Sequence, residues 1–203
     1  KSPKIIQRSS KIVENIYKSP NILFAPLSMK TRVLYAPTQL SGANRYGPFR
    51  DIDTVLYKKW QETLTRLDLD ITYKPHPKSK VSVDISAKQI VTDWLQDCIL
   101  DYDFFFLDFI STASALAVAT DKPIIYFNLG MMNLSDEAYD DFRQRVFWVD
   151  IDLNGNFESQ VNAAIKSYND AKTHWVNNYT RKYSLNEQLD MSTSEMINSI
   201  IRS

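Results

Sequence analysis

The chain has 203 residues, of which 44% are hydrophobic, so it can bury a sizeable core and is not a disordered segment. Lysine plus arginine and aspartate plus glutamate each number 24, and this balance excludes a chain-wide basic surface for nucleic acid. The single cysteine, Cys98, excludes an internal disulfide framework, and two histidines are too few for a His/Cys metal centre. We therefore expect a reducing, cytoplasmic setting, no metal and no nucleic-acid partner.

Residues 1–31 are predicted to form a helix and a linker that precede the main domain, with a short extended segment at 21–26. The first residue is lysine and not methionine, so we expect the chain to be a fragment or a processed product. The family resemblance given below implies that this linker is what is left of a connection to another lobe.

From residue 32 onward, strand-like and helix-like patterns alternate, which is typical of a parallel sheet covered by helices. Strands are predicted over 32–37, 69–77, 102–109 and 122–127, with an edge strand at 146–152. Helices are predicted over 51–68, 86–98, 111–120, within 128–145, over 157–179, and after Ser192. The sequence therefore predicts one α/β domain over 32–203, with a Rossmann-like, doubly wound parallel sheet.

Three of these helices carry predicted apolar faces. The face of 51–68 includes Val55, and the face of 86–98 includes Ile90 and Trp94. The face of 157–179 includes Trp175, next to His174, which we interpret as a surface or groove residue.

Several nucleotide-binding and hydrolase motifs are missing. The chain has only four glycines and contains no GxGxxG, no GxxxxGK[ST] and no GxSxG. This disfavours dinucleotide oxidoreductases, P-loop NTPases and α/β-hydrolases. Any phosphate would have to be bound by helix ends and side chains.

In open parallel sheets, ligands bind beyond the carboxyl ends of the strands, and polar residues follow the predicted strands here. Thr38 follows the first strand, the segment 74–77 the second, and Asp108 the third. His76 stands between two prolines and near Lys74, so a rigid loop would present a cation and an imidazole to one anion. The alternative is a structural histidine bonded to a neighbouring strand.

Two further groups are ambiguous. Ser111 and Thr112 place hydroxyls at a helix start, where an anion is favoured, but an ordinary N-cap has the same pattern. Asp136 and Glu137 could orient the hydroxyls of a sugar or polyol, or could simply begin a helix. Arg143, which follows them, could reach a phosphate or pair with these carboxylates, and so could the nearby Arg145.

Five stretches in order, "RVLYAPTQ", "ITYKPHP", "DYDFFFLDFISTAS", "DKPIIYFN" and "DEAYDDFRQRVFWVD", resemble the carboxyl-terminal half of the CDP-glycerol glycerophosphotransferases, the teichoic-acid-type polymerases. The resemblance covers roughly residues 30–150. It implies the GT-B glycosyltransferase architecture, in which two Rossmann-like lobes enclose the active site and the carboxyl-terminal lobe binds the nucleotide-diphosphate donor without a metal or other cofactor.

The resemblance also implies partners and a location. The donor would be CDP-glycerol or a UDP- or CMP-sugar, and the acceptor a bacterial surface polysaccharide, a capsule or teichoic-acid-type polymer, or a lipid-linked precursor. The amino-terminal lobe of the same enzyme would supply a catalytic histidine base and the acceptor site, so this chain alone would not turn over. The intact protein would be cytoplasmic, and peripheral attachment to the inner face of the membrane stays open.

By the same resemblance, His76 would contact the donor phosphate as the catalytic residue, and Ser111 with Thr112 would hold the pyrophosphate. Asp136 and Glu137 would lie near the ribose or the transferred group. Our full set of predicted donor-binding residues adds Thr38, Lys74, Asp108 and Arg143.

Two departures from the family pattern keep other functions open. Ile110 stands where the family has a first serine, and Gln39 where it has an aromatic residue. A sugar-nucleotide glycosyltransferase, a nucleotide-sugar 2-epimerase, and a non-catalytic binding or assembly module are therefore alternatives to a CDP-glycerol enzyme.

Overall fold

A computed structural model describes residues 21–38, 52–77, 79, 86–87, 89–132, 134–176 and 179. The strands are β1 (Asn21–Ile22), β2 (Arg32–Tyr35), β3 (Asp70–Tyr73), β4 (Gln89–Ile90), β5 (Phe104–Leu107), β6 (Ile124–Asn128), β7 (Phe147–Asp150) and β8 (Trp175–Val176). The α-helices are α1 (Thr54–Thr65), α2 (Leu95–Cys98), α3 (Thr112–Val118), α4 (Asp136–Arg145) and α5 (Phe157–Ala171), and a 3₁₀ turn covers Ile99–Asp101. None of these helices is long and apolar enough to cross a bilayer.

Six strands form one parallel sheet in the order β4-β3-β2-β5-β6-β7. The chain starts in the middle at β2, moves outward through β3 and β4, and then returns to the other side of β2 with β5. The direction of winding therefore reverses between β2 and β5, which is where doubly wound sheets bind ligands. The predicted Rossmann-like α/β class is confirmed.

The central strands are apolar throughout because helices cover both faces of the sheet. All four residues of β5 are buried, as are the first four of β6. One core includes Tyr35, Trp60 and Phe127 under α1 and α5, and the other includes Phe105 and Phe142 under α3 and α4.

Side-chain caps explain where three helices begin, because each satisfies a free backbone N–H group in the first turn. Asp53 accepts a hydrogen bond from the N–H of Leu56 at 2.9 Å before α1. Asn156 accepts one from Ser159 at 2.8 Å before α5. Ser135 caps α4.

The helix predicted over 86–98 is wrong. Gln89–Ile90 form β4, and only Leu95–Cys98 are helical. The reason is sheet pairing, since Ile90 lies opposite Tyr73 and the N–H of Val91 donates to the Tyr73 carbonyl at 3.0 Å. The predicted apolar face is wrong as well, because Ile90 and Trp94 are 57% and 72% exposed.

The long helix predicted over 157–179 ends at Ala171. Trp175 is buried in β8, which pairs antiparallel with β1, and His174 is exposed in the preceding segment. In α1, Val55 is 75% exposed and so does not belong to the buried face. The helix predicted after Ser192 and the one predicted near the start of the chain lie outside the described residues.

The end of α5 gives a stability prediction. Lys172 caps this helix with φ 47° and ψ 36°, a left-handed conformation that disfavours residues with a Cβ. We expect Lys172→Gly to raise the free energy of unfolding by up to about 1 kcal/mol, measured by urea denaturation. Lys166→Gly in the exposed interior of α5 is the matched control and should lower it by about 1 kcal/mol. Equal effects at both positions would contradict the prediction.

Candidate functional site

A pocket of about 520 Å³ opens at the carboxyl ends of β2, β3 and β4, beside the start of α3. Its volume falls in the range of about 300–1,000 Å³ that is usual for small-molecule and cofactor sites. Its lining residues come from four loops or helix starts: Ala36, Pro37, Lys74, Pro75, His76, Pro77, Thr92, Asp93, Trp94, Leu95, Gln96, Ser111, Thr112, Ala113 and Leu116. Four predicted site residues, Lys74, His76, Ser111 and Thr112, thus line the same pocket.

The loop after β3 is held at both ends. The N–H of Lys74 donates to the Tyr35 carbonyl at 2.9 Å, which extends the parallel ladder by one residue. The N–H of Ser79 donates to the His76 carbonyl at 2.9 Å, which closes a turn that contains Pro77. Since proline fixes φ, this loop loses little freedom when a ligand binds.

The Lys74 ammonium is the one cationic side chain among the lining residues, and no carboxylate of the described residues lies within ion-pair distance of it. Burial raises the pKa of the Cys98 thiol, and the nearby positive charge of Lys74 acts against that rise. This places the ammonium near α2. An anion in the pocket would therefore meet a cation that is not neutralised beforehand.

Ser111 is an N-cap, which was the alternative interpretation of its sequence pattern. Its hydroxyl accepts a hydrogen bond from the N–H of Ala113 at 3.2 Å, and its own N–H donates to the Ser114 hydroxyl at 2.6 Å. Thr112 is exposed, and its hydroxyl has no partner in the described part of the chain. The Thr112 hydroxyl can therefore still bond a ligand, and the Ser111 hydroxyl, which only accepts here, can still donate its proton.

Asp108 lies in the protein interior and is only 1% exposed. Its carboxylate accepts hydrogen bonds from the hydroxyl of Tyr35 at 2.6 Å, the hydroxyl of Tyr57 at 3.1 Å and the indole N–H of Trp60 at 3.0 Å. Burial, and then the Asp108 charge, raise the pKa of Tyr35 well above its ordinary value, so this hydroxyl stays a donor. The Tyr57 oxygen also accepts the N–H of Thr38 at 3.0 Å.

The predicted roles of Thr38 and Asp108 as ligand contacts stay predictions, and the structure gives both residues contacts inside the protein. Thr38 is 6% exposed, its N–H is bonded to Tyr57, and neither residue lines the pocket. Asp108 joins β2, α1 and the end of β5. It therefore positions two of the loops that form the pocket.

The three predicted site residues on α4 do not line the pocket. Asp136 and Glu137 are exposed in the first turn of α4, where negative charge stabilises the helix dipole. The guanidinium of Arg143 stacks on the Trp148 ring, with its Cζ 4.8 Å from the ring centroid. Their predicted contacts with ribose, transferred group and phosphate stay predictions.

Arg145 neither reaches a phosphate nor pairs with those carboxylates. It is fully buried and donates to the carbonyls of Val118, Thr120 and Lys122 at 3.0–3.1 Å. Burial lowers the pKa of Arg145 to about 9, which still leaves the guanidinium charged at neutral pH. It thus fixes the carboxyl end of α3, the helix whose start lines the pocket.

Sequence reasoning missed the wall that follows β4, which contributes Thr92, Asp93 and Trp94. The error was the helix predicted over 86–98, which turned Trp94 toward the core. The only local hint was the β-branched pair Ile90–Val91, which is too short to distinguish a strand from a helix.

The pocket combines the Lys74 cation, the half-buried His76 imidazole, the hydroxyls of Thr92 and Thr112, the Asp93 carboxylate and an exposed indole ring. Within the described residues, no three His, Cys, Asp or Glu side chains are grouped as metal ligands. Chemically, the arrangement suits an anionic ligand that also has a flat or apolar part.

The sequence matches no protein-family model and no curated protein sequence. Among solved structures, the fold is similar to that of KpsC from Thermosulfurimonas dismutans, a beta Kdo 2,7 transferase, with a TM-score of 0.42 and 17% sequence identity. The alignment covers 81% of this chain and 54% of that one, so this chain spans about half the length of that protein.

Proposed function

We propose that the pocket beyond β2, β3 and β4 binds the phosphate part of a nucleotide-activated donor. One observation carries the proposal: the free ammonium of Lys74 and the proline-framed His76 face the same pocket as the Thr112 hydroxyl. A cation, an imidazole and a hydroxyl are the groups that bind phosphate where no glycine-rich loop is present.

In the reaction we propose, the donor-binding lobe presents a glycerol-phosphate or sugar unit to a surface-polymer acceptor. The acceptor hydroxyl attacks the transferred unit, and the bond from that unit to the nucleotide phosphate breaks. Negative charge then develops on the leaving phosphate, where Lys74 and His76 stabilise it by charge and hydrogen bonding. The acceptor proton goes to a base from the amino-terminal lobe.

The proposed enzyme is a GT-B transferase of the kind that the glycerophosphotransferase resemblance implies. Its donor would be CDP-glycerol or a UDP- or CMP-sugar, used without a metal, and its acceptor a polysaccharide or a lipid-linked precursor. We favour this function over a pure assembly module because the pocket lies beyond the carboxyl ends of parallel strands, where doubly wound sheets bind ligands, and has a volume usual for ligand sites.

Calorimetric titration with CDP, UDP, CDP-glycerol and several UDP-sugars tests the proposal. We expect saturable binding of one nucleotide class, and a loss of affinity of about 10- to 100-fold in Lys74→Ala, since a hydrogen bond to a charged group is removed. His76→Ala should also bind more weakly while its circular dichroism stays unchanged.

Lys166→Ala is the matched control, because it removes an equal charge from an exposed position on α5 that does not line the pocket. No binding to wild-type protein, together with a stable dimer on size exclusion, would refute the donor site and favour an assembly module. Interconversion of a UDP-sugar without any acceptor would favour the 2-epimerase alternative.

A further inference from the structure

Trp94 is a large aromatic residue whose side chain is exposed and takes no part in the core. Its side chain is 72% exposed and lies on the pocket wall, and no ring of the described residues stacks on it. Large aromatic side chains usually bury most of their area, so an isolated exposed indole on a pocket wall marks a contact surface.

The backbone of Trp94 is fixed although its side chain is exposed. Its carbonyl accepts hydrogen bonds from the N–H of Asp97 at 2.9 Å and from the Cys98 thiol at 3.7 Å. Trp94 is the N-cap of α2, with the extended ψ of 132° that is usual at this position. The indole ring is therefore carried by an anchored helix start. A ring held in this way can stack on a ligand with little loss of backbone freedom.

Trp94 is also on the same side of the pocket as the cation. Strands β3 and β4 are adjacent and parallel, with Tyr73 opposite Ile90. Lys74 and Trp94 therefore both follow the carboxyl ends of neighbouring strands. The charge of Lys74 acts on the Cys98 thiol, one helical turn from Trp94. A ligand whose phosphate binds Lys74 would place its neighbouring part near the indole.

We infer that Trp94 is the stacking platform for the nucleobase of the donor, and that the base lies on the β4 side of the pocket with the phosphates toward Lys74 and Thr112. The inference rests on the proposed function. The platform accepts any base of suitable size, because every base has a flat π-face, so it explains recognition of a nucleotide without choosing between cytosine and uracil.

The test compares CMP and UMP with ribose 5-phosphate, which has the sugar and phosphate but no base. We expect Trp94→Ala to weaken CMP and UMP binding between about 5-fold and about 150-fold and to leave ribose 5-phosphate binding unchanged. Trp94→Phe should retain most of the affinity. Ile90→Ala removes a nearby exposed apolar side chain that does not line the pocket and should have no effect.

Tryptophan fluorescence gives an independent measurement. The other tryptophans, Trp60, Trp148 and Trp175, are buried or half-buried, so iodide should quench mainly Trp94. CMP should protect the ring from iodide, and ribose 5-phosphate should not.

The outcomes separate the two proposals. Suppose that wild-type protein binds CMP, and that Lys74→Ala weakens this binding but Trp94→Ala does not. The donor site is then supported, and the stacking role of Trp94 is wrong. If wild-type protein binds no nucleotide, both are wrong.

Discussion

Replacing Asp108 with alanine is expected to lower the free energy of unfolding by about 3–5 kcal/mol, one of the two largest single-residue effects we predict. The carboxylate accepts hydrogen bonds from Tyr35, Tyr57 and Trp60 in the interior. Alanine would leave three buried donors without this acceptor, and each unsatisfied donor costs about 1–3 kcal/mol. Urea denaturation followed by circular dichroism measures the change.

Asp103→Asn is the matched control, since Asp103 is an acidic residue at the opposite end of the same strand, β5. It pairs with Arg32 at 2.9 Å on the surface, where an ion pair contributes at most about 1 kcal/mol. Asp108→Asn should give an intermediate loss, because the amide keeps one acceptor oxygen but presents N–H groups to donors. A loss below about 1 kcal/mol in Asp108→Ala would contradict the role of this network.

The network also predicts an effect on the pocket. Tyr57 joins the Asp108 carboxylate to the backbone N–H of Thr38, so a folded Asp108→Asn variant should hold the loop after β2 less firmly. Its nucleotide affinity should fall although Asp108 does not line the pocket. This identifies Asp108 as a positioning residue.

The sheet could be predicted because its strands carry an unambiguous local pattern. The run Phe104–Leu107 is too apolar for any position except the centre of a covered parallel sheet, and proline at 123 and 75 marks the neighbouring strand boundaries. His76 could be predicted as a site residue for the same reason, because the two prolines beside it place it at a strand end.

The strand β4 could not be predicted from local pattern, because two residues are too short for a period of two to differ from a helical one. Its identity depends on the hydrogen bond from Val91 to Tyr73, a tertiary contact. Trp94 was placed in the core for this reason. The pocket wall with the most distinctive side chain was therefore the one that sequence reasoning missed.

The role of Asp108 was hidden for a related reason. A carboxylate at a strand end is typical of a ligand contact, and its donors come from Tyr35, 73 positions earlier, and from Tyr57 and Trp60 on α1. Only the folded arrangement shows that these groups enclose it. The same holds for Arg145, whose partners on α3 are more than 20 positions away.

Replacing Arg145 with methionine is expected to lower the free energy of unfolding by about 3–5 kcal/mol, because methionine fills the space but makes no hydrogen bonds. The guanidinium donates to carbonyls at and beyond the end of α3, a helix whose last turn has no basic residue of its own. Without these bonds, buried carbonyls of Val118 and Thr120 lose a charged donor. Thermal and urea unfolding measure the loss.

Arg143→Met on the same helix is the control, and it should cost no more than about 1 kcal/mol because it removes only exposed contacts with the rings of Trp148 and Tyr139. Arg145→Lys separates charge from geometry: lysine keeps the positive charge but cannot span carbonyls on both sides of Thr120, so it should recover only part of the loss. Full recovery by lysine would show that charge alone matters. In the methionine variant, a shift of the α3 start should also weaken nucleotide binding through Thr112, which lines the pocket at the other end of the helix.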